Sequence, residues 1–242
     1  MHNDYDNTEY IGDNRGLELD ADTDADTDTF SEPEAAISNY AALAGKVVSD
    51  PEFSHEVYGE GFYIVQLEVQ RLSQTYDILP VTISERLMGQ DNIHLGSFLD
   101  VYGQIRSYNS YSEAEGRNKL VLTVFARDIE VLDDFPPRNT NEIFLNGYIC
   151  KPPVFRTTPF GREITDMLVA VNRSYNKSDY VPVITWGRNA RFCGRLAVSD
   201  NVMLWGRLQS RPYQKKYDDG RIEDKVAFEV SASKVQGSEA RD

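Results

Sequence analysis

The chain has 242 residues, of which 40% are hydrophobic and 11% aromatic, and it carries a formal net charge of −14. That length allows one large domain or two of about 100 residues. No stretch approaches the ~18 apolar residues of a membrane span, the acidic N-terminus lacks the apolar core of a secretory signal, and two cysteines, Cys150 and Cys193, give neither a disulfide framework nor a zinc site.

A cytoplasmic protein without membrane association is expected, with both cysteines as small buried side chains. Its charge is uneven. Residues 1–38 hold 12 acids and one base, net −11; residues 39–138 hold 15 acids and 8 bases, net −7; residues 139–242 hold 12 acids and 16 bases, net +4. A polyanion is therefore expected to land on the last third.

Residues 1–37 read as a disordered acidic tail, because like charges repel and little apolar surface is available to bury. The run from Asp20 to Asp28 is not a calcium loop: Ala25 and Ser31 stand where an EF-hand needs Gly and Glu. After the tail the chain repeats itself. Asn39, Leu43, Gly45, Pro51 and Phe53 return 102 residues later as Asn141, Leu145, Gly147, Pro153 and Phe155. Arg71, Asp77 and Arg86 match Arg173, Asp179 and Arg188 at the same offset, and Ser107 matches Ser210 at 103. Two copies of one fold are expected, at 38–132 and 139–237, joined by a proline-containing linker at 133–138 and followed by a short tail at 238–242.

The second copy shows the elements more clearly. Strands are predicted at Ile143–Cys150, Ile164–Asn172, Tyr180–Trp186, Val202–Gln209 and Lys225–Val235. Met167, Val169 and Val171 alternate on one face of the second strand. Thr158–Gly161 and Asp218–Gly220 read as turns, and a short helix fits Gly187–Leu196. Five strands and one short helix make an OB barrel. The predicted fold class is all-β: two tandem five-stranded OB-folds after an acidic tail.

The second copy resembles the bacterial single-stranded DNA-binding protein family. The resemblance is carried by Asn146-Gly147-Tyr148-Ile149, the Thr158–Gly161 turn, Leu168–Arg173, the run Asp179-Tyr180-Val181-Pro182-Val183-Ile184-Thr185-Trp186-Gly187-Arg188, and Val202–Gln209 followed by Ser210–Tyr213. It spans about residues 141–236, and the first copy looks like a divergent version of the same module. The resemblance implies base stacking at Tyr175, Tyr180, Trp186 and Tyr213. It also implies four OB modules per assembly, which two copies per chain would reach as a homodimer. The family's acidic, aromatic C-terminal tip is replaced here by Gly237–Asp242; the acidic N-terminal tail could recruit other proteins in its stead, compete with DNA, or only solubilise.

Chemistry points the same way. Sequence-tolerant binding of single strands needs aromatic faces for bases and cations for phosphates. The second copy supplies Phe155, Tyr175, Tyr180, Trp186 and Tyr213 among Arg156, Arg162, Arg173, Arg188, Arg207, Arg211 and Lys215. Trp205 reads as structural or interfacial. In the first copy, Ser73, Ile78, Ser84 and Ser110 stand at the four stacking positions, and Ser54, Glu60 and Gln104 replace Arg156, Arg162 and Arg207. That copy is expected to serve assembly or protein docking.

The three histidines are scattered, and no phosphate loop or nucleophile motif occurs, so no enzyme, metal or cofactor is expected. The expected function is sequence-independent binding of single-stranded DNA in replication, recombination or repair, with replication or repair proteins as possible partners. The alternatives are a protein-interaction adaptor built on the same folds and an RNA binder.

Overall fold

The computed structural model describes residues 38–91, 93–112, 116–134, 140–217 and 220–237. The expected acidic tail, most of the expected linker and the C-terminal tail lie outside the described residues. The first half runs β1 (Asn39–Val47), β2 (Glu52–Val57), β3 (Glu60–Gln70), β4 (Tyr76–Ser84), α1 (Glu85–Asp91), β5 (Phe98–Ser112) and β6 (Arg117–Leu132). The second repeats the order with β7 (Asn141–Ile149), β8 (Val154–Thr157), β9 (Glu163–Arg173), β10 (Lys177–Trp186), α2 (Gly187–Cys193), β11 (Asn201–Lys216) and β12 (Ile222–Gly237).

Each half closes on itself. In the first, β1 pairs with β3 and β5, β3 with β4, β4 in parallel with β6, and β6 with β5. In the second, β7, β9, β10, β12 and β11 close the same way, again with one parallel pair, β10–β12. These are the two five-stranded OB barrels that the sequence predicts. Alternation builds their cores: β9 buries Met167, Val169 and Val171 on one side, and β4 buries Leu79, Val81 and Ile83. The long strands bend at bulges between Tyr102 and Gly103 and between Trp205 and Gly206. A Cβ on Gly103 or Gly206 would overlap the carbonyl oxygen of Phe125 or Ser231, which explains why both copies carry glycine there.

The structure departs from the predicted elements in two ways. A sixth strand, β2 or β8, forms a hairpin outside each barrel; all four residues of β8 are exposed, so no apolar alternation announced it. The hairpin β11–β12 runs on from the predicted end at Gln209 to a ladder that reaches Lys216 opposite Ile222. Beyond the barrel Arg211, Gln214, Lys215 and Lys216 interrupt the apolar alternation of β11, and Ile222 and Val226 of β12 are exposed, so the apolar signal stops before the backbone pairing does. Of the predicted turn at 218–220, Asp218 and Asp219 lie outside the described residues; Gly220 N–H donates to the Tyr217 carbonyl at 2.9 Å. The turn at 158–161 forms as predicted, with Gly161 N–H donating to the Thr158 carbonyl at 2.8 Å.

The barrels are joined edge to edge. Strand β1 pairs antiparallel with β7, Asn39 opposite Leu145, Ala41 opposite Ile143 and Leu43 opposite Asn141. Ala41 thus meets its own repeat partner, so the junction has local two-fold symmetry. Two buried carboxylates lock it. Asp77, fully buried in the first half, accepts hydrogen bonds from Ser210 N–H (2.7 Å) and Ser210 Oγ (2.9 Å) of the second half and from Arg71 Nε (2.7 Å). Asp179, 1% exposed in the second half, accepts from Ser107 N–H (2.8 Å) and Arg106 (3.0 Å) of the first. The repeated Asp and Ser positions are the two ends of this exchange.

Among the described residues no helix is long and apolar enough to cross a membrane, and no group of His, Cys, Asp and Glu is arranged to hold a metal ion.

Removing Asp77 leaves the partly buried Arg71 without its counter-charge, though still bonded to the Ser210 carbonyl, and leaves the Ser210 N–H without its acceptor. Asp77→Ala is expected to cost about 3 kcal/mol of unfolding free energy in a urea titration, against under 1 kcal/mol for Asp224→Ala on the exposed hairpin. The two cysteines differ from the expectation: Cys193 is fully buried, but Cys150 is half-buried beside its strand end. Burial pushes the Cys193 thiol up to about 11 and raises Cys150 less. A thiol reagent at pH 8 should therefore modify Cys150 in the native protein and Cys193 after denaturation.

Candidate nucleic-acid interface

Strand β10 sends Val181, Val183 and Thr185 into the second barrel and turns Tyr180 and Trp186 outwards, 45% and 39% exposed. Six residues of strand separate these two rings by roughly 20 Å. Cross-strand neighbours share a face. Trp186 lies opposite Ile164, which lies opposite Arg156 on β8. On the other side Ile184 is opposite Ser231, and Ser231 opposite Arg207; farther along β12 the pairs are Arg211–Ala227, Tyr213–Lys225 and Lys215–Glu223. One outer face, crossing β8, β9, β10, β12 and β11, therefore carries Arg156, Trp186, Tyr180, Arg207, Arg211, Tyr213 and Lys215.

The first barrel helps to set this face. Tyr180 N–H donates to Ser107 Oγ at 2.6 Å, so the backbone that carries Tyr180 is fixed by a residue of the other half. At the far end of β10 the Trp186 indole N–H donates to Ser231 Oγ at 3.2 Å, which orients the ring over β12.

The remaining candidates lie around the rim. Tyr175 occupies the β9–β10 turn at φ 63 and is 94% exposed. Arg188 is exposed in the first turn of α2, and Arg162 follows the Thr158–Gly161 turn. Phe155 is set apart: it lies opposite Thr165, whose side chain turns into the barrel, and therefore faces away from Arg156. Arg173 is also set apart, 3.5 Å from Asp179 at the junction.

Several of these cations already have anionic neighbours. Arg156 meets Asp166 at 2.7 Å and Arg211 meets Glu229 at 3.2 Å. Burial lowers the pKa of Arg207, and nearby Arg71 lowers it further against the opposing effect of Asp77. Both arginines remain charged, so Arg207 lies near a second cation as well as near the carboxylate that Arg71 holds. Sequence reasoning passed over two further rings. Phe160, 69% exposed, sits in the β8–β9 turn. Tyr217, on the hairpin extension, has Lys215, Arg221 and Lys225 at 4.6, 4.9 and 5.7 Å from its ring centre. Phe160 was visible in its turn motif; Tyr217 lay beyond the last apolar alternation.

Residues 140–237 match the Single-strand binding protein family. Over 108 residues the chain is 30% identical to single-stranded DNA-binding protein 2 of Streptococcus agalactiae serotype V, covering 42% of this chain and 79% of the relative. The chain belongs to this family. It is also 24% identical over 162 residues to the single-stranded DNA-binding protein of Thermus thermophilus, covering 58% of this chain and 61% of that one, so it spans about three fifths of that relative's length. The family's fold extends through both halves: the wild-type single-stranded DNA binding protein from Thermus aquaticus superposes with a TM-score of 0.65 at 19% identity, covering 84% of this chain and 94% of that chain.

Proposed function

We propose that the protein binds single-stranded DNA without sequence preference, mainly through its second barrel, and acts in replication, recombination or repair. The observation that carries this reading is the outer face of the second barrel, where Tyr180, Trp186 and Tyr213 alternate with Arg156, Arg207, Arg211 and Lys215 across adjacent strands. Stacking tolerates any base because every base has a π-face, and the cations follow the phosphates. Tyr175, Arg162 and Arg188 extend the track at the rim, while Phe155 and Arg173 contribute from its edge. Family membership, and relatives that are single-stranded DNA-binding proteins, support the same ligand. The work is non-catalytic and cytoplasmic: the protein covers unpaired strands and meets replication or repair proteins there. The functional units are residues 38–132 and 139–237, with 133–138 between them. The first is chiefly an assembly module.

A labelled oligo(dT) should bind tightly at low salt and more weakly as salt rises. Trp186→Ala should weaken binding by about 1–3 kcal/mol, the usual value of one stacked base. No binding at low salt, or binding indifferent to this variant, overturns the reading.

The assembly role rests on the outer side of the strands at the junction. Across β1, β7 and β11, Tyr40, Phe144 and Trp205 form one row, with Phe144 and Trp205 ring centres 5.0 Å apart. Tyr102 lies in the adjacent row and Tyr148 farther along, both partly exposed, and the buried Trp205 indole N–H has no acceptor among the described residues. Such an aromatic face fits a second copy, giving four barrels. Sedimentation should give a two-chain species, converted to single chains by Tyr102→Asp with Tyr148→Asp. A stable monomer of the unaltered protein at micromolar concentration rejects the homodimer.

A further inference from the structure

The first barrel lacks a ring at the position of Trp186, where Ser84 stands, yet it has a ring beside that position. In the second barrel the Trp186 indole reaches Ser231 on the adjacent β12. Ser231 lies opposite Ile184, two residues before Trp186. In the first barrel Phe125 on β6 lies opposite Thr82, two residues before Ser84. The large and small residues have changed strands: Trp over Ser in one barrel, Ser beside Phe in the other. A projecting ring has become a recess with an aromatic floor.

The recess has a cavity volume of about 290 Å³, and its walls include Glu60, Phe62, Ser84, Arg86, Phe125 and Arg127. That is close to the ~300 Å³ lower end of small-ligand sites and suits one planar ring with its substituent. The floor is held still. Phe125 tilts against Phe62 with ring centres 5.5 Å apart, and His55 stacks on Phe62 at 5.0 Å and 11°. The half-buried Phe125 is therefore the ring offered to a ligand. Arg86 and Arg127 flank it, both exposed; Arg127 donates to the Gln104 side chain at 3.0 Å, and no described residue forms a hydrogen bond or ion pair with Arg86.

We propose that this recess is a socket for one nucleotide of the bound strand, its base on Phe125 and its phosphate between Arg86 and Arg127. The proposal rests on the strand-binding reading above and adds a contact in the half to which that reading gives assembly. The chemistry selects a nucleotide over an uncharged ring. Two guanidinium forks match phosphate oxygens, an aromatic floor accepts any base, and Glu60 can accept a hydrogen bond from a base N–H. The surrounding half carries a net charge of −7 over residues 39–138, which disfavours a continuous phosphate track. A single insertion between two arginines is the contact this surface can offer. The junction's local symmetry puts the socket at the position equivalent to Trp186, so a strand leaving the second barrel's face can meet it on the first.

The test uses the full chain with two lengths of labelled oligo(dT), one of about 10 nucleotides, within the span of a single barrel, and one about three times longer. The exposed double variant Arg86→Gln with Arg127→Gln, checked for an unchanged unfolding midpoint, should bind the long oligonucleotide about tenfold more weakly and the short one within about twofold of the unaltered protein. An iodouracil-substituted long strand should cross-link to the peptide that contains Phe125. If both affinities are unchanged and cross-links are confined to residues 139–237, while Trp186→Ala still weakens binding, the socket is refuted and the strand-binding reading stands. If the unaltered protein binds neither length, both fall.

Discussion

The structure depends on two carboxylates that are taken out of water and returned to hydrogen bonds across the junction. Burying Asp77 and Asp179 is costly unless every lone pair that faces the interior finds a donor. Each finds donors from an arginine and from a serine of the opposite barrel. These bonds determine how the barrels face each other once β1 and β7 have paired. They also reach the candidate interface: Ser107 holds Asp179 through its N–H and Tyr180 through its hydroxyl. Geometry at the proposed binding face is thus partly a property of the first half.

Much of this was legible in the sequence because it was written twice. Glycines at equal positions mark bulges where a Cβ has no room, and the alternation of β9 and β4 marks which side is core. The repeated arginines had two readings, phosphate contact or structural pair. Arg71 and Arg173 both lie against the buried carboxylates, whereas Arg86 and Arg188 are exposed at the first turns of α1 and α2. What stayed hidden lacked an apolar signal. Strand β8 exposes every residue, and the β11–β12 extension has no core to cover. The exchange of Trp186 and Ser231 for Ser84 and Phe125 was hidden for another reason. Comparison position by position registers a lost ring at Ser84 but cannot register a ring gained on a neighbouring strand, 41 residues along the chain.

Charge gave a partial guide. The last third is the basic part of the chain, but side-chain pairing redistributes that excess: Arg156 and Arg211 stand against Asp166 and Glu229, while Arg207 is partly buried near both Arg71 and Asp77. Local arrangement, more than the count of cations, decides where a phosphate would be welcome. The same holds in the acidic first half, where two arginines flank one aromatic recess.

The edge-to-edge union of β1 with β7 has a further consequence for how such a molecule can change. Where an assembly is built from identical single-barrel chains, any substitution appears at every equivalent position, and a change that suits one face is imposed on all. Covalent linkage removes that constraint. Here the symmetric pairing is retained at the seam, with Ala41 facing Ile143, while the surfaces on either side are free to differ. One seam therefore supports two independently adjustable tools, and the altered copy never has to leave its partner to acquire a different task.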